Sequence, residues 1–129
     1  MQTVVGAVIV ADGRVLAARR SERAGSAGFW EFPGGKVEPG EDPRAALVRE
    51  INEELSTAIV VGDEIGDVPW VISETLELRL FLASLAGGDP QPGEDHDELR
   101  WLALDALDSV AWLPSDRLAL EVVRSKLRS

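Results

Sequence analysis

The chain has 129 residues, 45% hydrophobic and 28% charged, with a formal net charge of −10 and no cysteine. A chain of this length supports one hydrophobic core, so a single domain over residues 1–129 is expected. The charge argues against a nucleic acid polymer as partner, since that needs a basic surface to displace counterions. The missing cysteines exclude disulfides and thiolate zinc sites. No apolar run is long enough to cross a membrane, and the opening residues have neither a basic region nor a cleavage site. The expected location is cytoplasmic, with no membrane partner, as a monomer or homodimer.

In chain order, residues 4–11 form a nearly unbroken apolar run, which predicts a buried strand. Asp12-Gly13 is a hairpin signal, and residues 14–20 return as a second strand ending in Arg19-Arg20. The small polar stretch 21–28 predicts a loop, followed by a short strand through Trp30 and Phe32. Residues 58–61 and 65–72 are expected as strand segments broken by Gly62 and Gly66. Over 75–85 Leu76, Leu78, Leu80 and Leu82 alternate with Glu77, Arg79 and Phe81, which predicts a strand with one buried face. A loop over 87–97, a short strand over 99–104 and a last helix with Leu118, Val122 and Leu127 as its apolar stripe complete the chain. The pattern predicts an α/β fold with a mixed sheet between helices.

The stretch that organises the chain runs from Gly35 to Thr57. Gly34, Gly35 and Gly40 suggest a loop that needs backbone angles closed to other residues. Asp42 is a good N-cap and Pro43 suits the first helical position. Leu47, Val48, Ile51 and Leu55 recur at helical spacing, and the helix is expected to end near Leu55. Glu50, Glu53 and Glu54 stand at i, i+3 and i+4, on one face. Like charges at that spacing destabilise a helix by about 0.2–0.5 kcal/mol per pair. Stability does not ask for them, whereas Mg²⁺ commonly joins one or two carboxylates to substrate phosphates. A solvated acidic face is the alternative.

Gly35, Glu41, Arg49, Glu50, Ile51, Glu53 and Glu54 lie at the spacings of the Nudix box, and the chain resembles the Nudix hydrolases, nearest to their MutT-like and CTP-pyrophosphohydrolase-like branch. Ser56 and Thr57 depart from the glycine and aliphatic residue that end the pattern. The resemblance implies a Nudix-like α/β/α sandwich and Mg²⁺ or Mn²⁺ as cofactor. It also implies a small nucleotide as substrate, cleaved by water at a phosphoric anhydride. A nucleoside triphosphate, (d)CTP, modified dCTP or 8-oxo-dGTP, is the leading expectation. ADP-ribose, a dinucleotide, a nucleotide sugar or a purely binding role are the alternatives.

The same resemblance makes Glu50, Glu53 and Glu54 metal ligands, with the Gly35 carbonyl as a further one and Arg49 holding a glutamate in place. An ordinary intrahelical pair between Arg49 and Glu53 competes with that role. Asp95, six residues before Trp101, stands where relatives often carry a glutamate that serves as metal ligand or general base, and Glu50 is the other candidate for the base. Arg20 matches a phosphate-contacting arginine, and Lys36 is near the glycine loop. That loop lacks the Ser/Thr and spaced glycine of a P-loop. Asp116 falls where relatives read the base, although it could instead start the last helix. Phe32 and Trp30 could stack on the base or simply fill the core. His96, the only histidine, is expected to be a loop residue.

Overall fold

The computed structural model describes residues 1–128. Strand β1 (Gln2–Ala11) is the shared axis of a seven-stranded mixed sheet. It runs parallel to β6 (Leu76–Leu85) from Gln2 to Ile9 and antiparallel to β4 (Gly34–Lys36) on its other edge. At Val10 and Ala11 it passes into β2 (Arg14–Arg20) through Asp12 and Gly13, both at positive φ. Two positive φ values match the right-handed twist of a tight hairpin. β2 then lies between β3 (Trp30–Glu31) and β7 (His96–Ala103), and β5 (Ile59–Val71) pairs with β6 at the far edge.

Helices cover both faces, as an α/β/α sandwich requires. On one face α1 (Pro43–Leu55) buries Ala46, Leu47, Ile51 and Leu55 against Val5, Ala7, Ile9 and Phe81. On the other, the 3-10 turn Leu104–Ser109, α2 (Pro114–Arg117) and α3 (Leu120–Arg128) close over Val8, Val15, Leu78 and Leu80. This is why β1 reads as an unbroken apolar run: alternate residues serve opposite layers. Among the described residues no helix is long and apolar enough to cross a membrane.

The start and end of α1 fall where expected. Asp42 accepts from the Ala45 N–H at 3.1 Å, Pro43 opens the helix, and Ser56 caps it at φ 52°. Ser56 thus adopts the left-handed conformation in which helices usually place glycine. Thr57, in place of an aliphatic residue, is buried and donates its hydroxyl to the Gly87 and Gly88 carbonyls at 2.7 and 2.8 Å.

Several expectations are corrected. Gly34 and Gly35 are extended residues of β4, and of the three glycines only Gly40 has a positive φ. Val48 is exposed, because Ala46 takes the fourth buried position of α1. β6 buries both faces, Leu78 and Leu80 toward α3, Phe81 and Ala83 toward α1. Gly62 and Gly66 do not break the strand; they lie in two register shifts of a continuous β5. Leu118 lies before the last helix and, like Val122 on it, faces solvent, while Leu120 and Val123 form the buried stripe with Leu127 packed against it. Leu118-Val122 and Leu120-Val123-Leu127 both satisfy helical spacing, and only the contacts of α3 choose between them.

Candidate functional site

Where β1, β4 and the face of α1 meet, a cavity of about 600 Å³ opens. Its lining includes Gly34, Gly35 and Lys36 from β4, Glu50 and Glu54 from α1, Arg20 from β2 and Asp95 from the loop before β7. Phe32, Leu113, Ser115 and Asp116 line it as well, and so does Glu31. The volume lies within the range of ordinary small-ligand sites, roughly 300–1,000 Å³.

The glycines are explained by close approach. A Cβ on Gly34 would lie 1.9 Å from the Val5 carbonyl oxygen, and one on Gly35 would lie 2.3 Å from the Glu50 carboxyl carbon. Gly35 therefore lets the Glu50 carboxylate rest on the strand backbone. Arg49 braces this arrangement from outside. Its Nε and Nη2 donate to the two Glu41 oxygens at 2.8 and 2.9 Å, and its Nη1 donates to Glu50 Oε1 at 3.0 Å. The Arg49 hydrogen bond holds Glu41 down at about 2, well below the usual carboxylate range. Both sequence readings of Arg49 have a geometric counterpart, since Glu53 Oε2 also accepts from it at 3.4 Å.

The three box glutamates are not equivalent. The Glu50 and Glu54 side chains are 17% and 10% exposed, whereas Glu53 is 60% exposed and stands outside the cavity lining. Burial pushes Glu54 up to about 9, with the charges of Glu31 and Glu50 adding to the effect. Arg49 and Arg20 pair with Glu50 and Glu31, but among the described residues Glu54 has no arginine or lysine beside it. The donors of this cluster are carboxylate oxygens plus the nearby Gly35 carbonyl, a set that suits a hard divalent cation. The residues present fit that ion.

Asp116 lies in the first turn of the short helix α2 and does not start the last helix. α2 begins at Pro114 without a side-chain cap, and α3 begins at Leu120. A bridge between Trp30 and Trp112 instead carries Asp116 beneath β3, where its Oδ2 accepts from the Phe32 N–H at 2.8 Å. Phe32 is buried, 4.6 Å from the Trp112 ring, and forms part of the cavity wall. Trp30 is absent from that lining; it is buried with the Arg100 guanidinium 4.6 Å from its ring. Asp95 is about half exposed, 3.5 Å from Arg23 Nε.

His96 is a correction: it begins β7, and its side chain is 1% exposed, with Nε2 2.7 Å from Glu31 Oε2. Neither residue of this pair was assigned a role from the sequence. Glu31 was findable, because alternation in a short strand puts it on the face opposite Trp30 and Phe32.

An α/β/α sandwich with carboxylates and cations around one cavity suits an anionic ligand accompanied by a divalent ion. The chain belongs to the Nudix family, whose family model, described as NUDIX domain, matches residues 1–122, and it is a Nudix hydrolase. It is 51% identical over 122 residues to the CTP pyrophosphohydrolase of Escherichia coli (strain K12), covering 94% of this chain and 90% of that one. A Mycobacterium tuberculosis protein provisionally named 8-oxo-dGTP diphosphatase 2 is 43% identical over 119 residues, covering 90% of this chain and 83% of its own. The solution structure of the E. coli ORF135 protein superposes with a TM-score of 0.80 at 35% identity, over 100% of this chain and 91% of that one.

Proposed function

We propose that this Nudix hydrolase is a divalent-metal-dependent nucleoside triphosphate pyrophosphohydrolase. It releases a nucleoside monophosphate and pyrophosphate from (d)CTP, a modified dCTP or 8-oxo-dGTP. The observation that carries this reading is that one cavity is lined by both oxygen donors and an apolar wall with an acidic acceptor. Glu50, Glu54, Asp95 and the Gly35 carbonyl furnish oxygen donors, while Phe32, Leu113 and Asp116 furnish an apolar wall with one acidic acceptor. Similarity to chains named for CTP and 8-oxo-dGTP supports both candidate bases.

In this reading Glu50, Glu54, Asp95 and the Gly35 carbonyl hold Mg²⁺ or Mn²⁺, with Glu53 at the outer edge. When bound, the ion screens phosphate charge and acidifies a water. Glu50 takes the proton from the attacking water, because Arg49 fixes its Oε1 and Gly35 fixes its position over β4. Asp95, being half exposed, is the less constrained candidate. Arg20 and Lys36 bring positive charge to the same cavity and bind phosphate oxygens. Asp116 in its ionised form, which prevails above about pH 7, accepts from the exocyclic amine of cytosine or from the N1–H and amine of a guanine.

The test is pyrophosphate release from a panel of normal (d)NTPs, 5-methyl-dCTP, 8-oxo-dGTP and ADP-ribose with Mg²⁺ or Mn²⁺. Turnover concentrated on cytidine or 8-oxoguanine nucleotides is expected. Faster hydrolysis of ADP-ribose, or tight nucleotide binding without product, would overturn the assignment.

A further inference from the structure

Glu31, in the cavity wall, is joined to both Arg20 and His96, and with His96 it lies within 4.8 Å of a Glu54 carboxylate oxygen. Its Oε1 accepts from Arg20 Nη1 at 2.9 Å, and its Oε2 lies 2.7 Å from His96 Nε2. The sheet itself brings these three residues together. β3 pairs with β2 at Ala18–Glu31, and β2 pairs with β7. The β2–β7 register matches Arg19 with Glu98 but Arg20 with His96, so Asp97 is the extra residue of a bulge. Without that bulge Arg20 would oppose Asp97. Bulges re-aim side chains in this way. Here His96 turns inward beside Arg20, while Asp97 pairs outward with Arg19 at 2.6 Å.

The arrangement has a consequence for how Arg20 is held. Arginine and a carboxylate prefer a two-pronged pair, which would engage two of the guanidinium N–H groups with Glu31. With Oε2 held by His96, Glu31 meets Arg20 through Oε1 alone. Arg20 Nε donates to the Gly25 carbonyl at 2.7 Å and Nη2 donates to the Ala24 carbonyl. Three of its five N–H groups are thereby fixed, and one on each terminal nitrogen remains for a ligand. Among the described residues His96 has no other hydrogen bond for its ring: Nδ1 is buried without a partner, and Glu54 Oε1 at 3.9 Å is beyond hydrogen-bond reach. The ring is thus committed to Glu31 through Nε2.

We propose that His96 is a positioning residue which, by holding Glu31 to a single-pronged contact, keeps two Arg20 N–H groups free for a phosphate oxygen of the substrate. This rests on the reading of the cavity as a nucleotide site. Because Arg20 contacts phosphate in ground state and transition state alike, His96 acts on KM rather than kcat.

The experiment compares wild type, His96→Leu and His96→Gln, whose amide brings an N–H donor back toward Glu31. His96→Leu should raise KM for the best nucleotide about tenfold with kcat within about twofold. The Mg²⁺ concentration for half-activation should stay unchanged. His96→Gln should recover most of the loss, and His96→Leu should add nothing to KM in an Arg20→Ala background. A fall in kcat with a shifted Mg²⁺ requirement would overturn the proposal, because His96 would then act through Glu54. So would an unchanged KM, additive losses, or no rescue by glutamine in a variant with wild-type melting. The Arg20 guanidinium N–H resonances, read by NMR without substrate, separate this from the substrate assignment. A further N–H protected from exchange in His96→Leu but not in wild type or His96→Gln supports the single-pronged contact whichever nucleotide is turned over. Equal exchange in all three overturns it.

Discussion

Asp116 shows how strongly one buried side chain links pH to this fold. It is 5% exposed, and burial pushes its carboxyl up to about 7, against the opposing pull of the Phe32 N–H and the Ser115 hydroxyl. In an unfolded chain the same group titrates near 3.8. The fold therefore prefers the protonated form, so the contribution of Asp116 is fully present below pH 3.8 and is lost as pH rises toward about 7. Asp116→Asn keeps an acceptor for Phe32 and removes the titration. Urea midpoints across that window should fall less with rising pH in the variant than in wild type, whereas parallel slopes would contradict the account. At this scale the sequence was half legible. The box glutamates could be read from spacing, but the difference between buried Glu54 and exposed Glu53 depends on how α1 is rotated against β4. The role of His96 depends on a bulge, which no local pattern announces.

At the scale of elements, the short strand β4 and helix α1 act as one unit. Asp42 and Pro43 made the start of α1 readable, because capping and fixed φ are local chemistry. β4 was not readable, since Gly-Gly-Lys signals a loop unless a partner strand is known. Its partner is β1, about thirty residues away in sequence. The two glycines of β4 face different neighbours, and this yields a paired prediction. Gly35→Ala would drive a Cβ into the Glu50 carboxylate, which can move. Turnover should fall about 100-fold, as small misplacements at a reacting centre do, with little change in melting. Gly34→Ala would meet the Val5 backbone, which cannot give way. Loss of about 3 kcal/mol in denaturant unfolding is expected there. Equal effects of the two substitutions on stability would contradict the geometry.

For the whole molecule, the family's box stands on a scaffold whose layers were partly visible in advance. The mixed α/β sandwich followed from alternating strand and helix periods. The burial of both faces of β6 did not, because Phe81 shares its alternation with Glu77 and Arg79, and its cover, α1, comes from elsewhere in the chain. The same limit explains α3, where two apolar stripes share the helical period and tertiary contact selects Leu120 and Val123. With ten negative charges in excess, this scaffold would, on the proposed reading, handle an anionic substrate through Arg20, Lys36 and a divalent metal held by its carboxylates. The most direct measurement is ³¹P NMR of the products formed from dCTP and from 8-oxo-dGTP with Mg²⁺, by wild type and by Glu54→Gln. The account predicts a nucleoside monophosphate with pyrophosphate from wild type, and neither product from the folded Glu54→Gln variant. A nucleoside diphosphate with orthophosphate, or undiminished turnover without the Glu54 carboxylate, would contradict it.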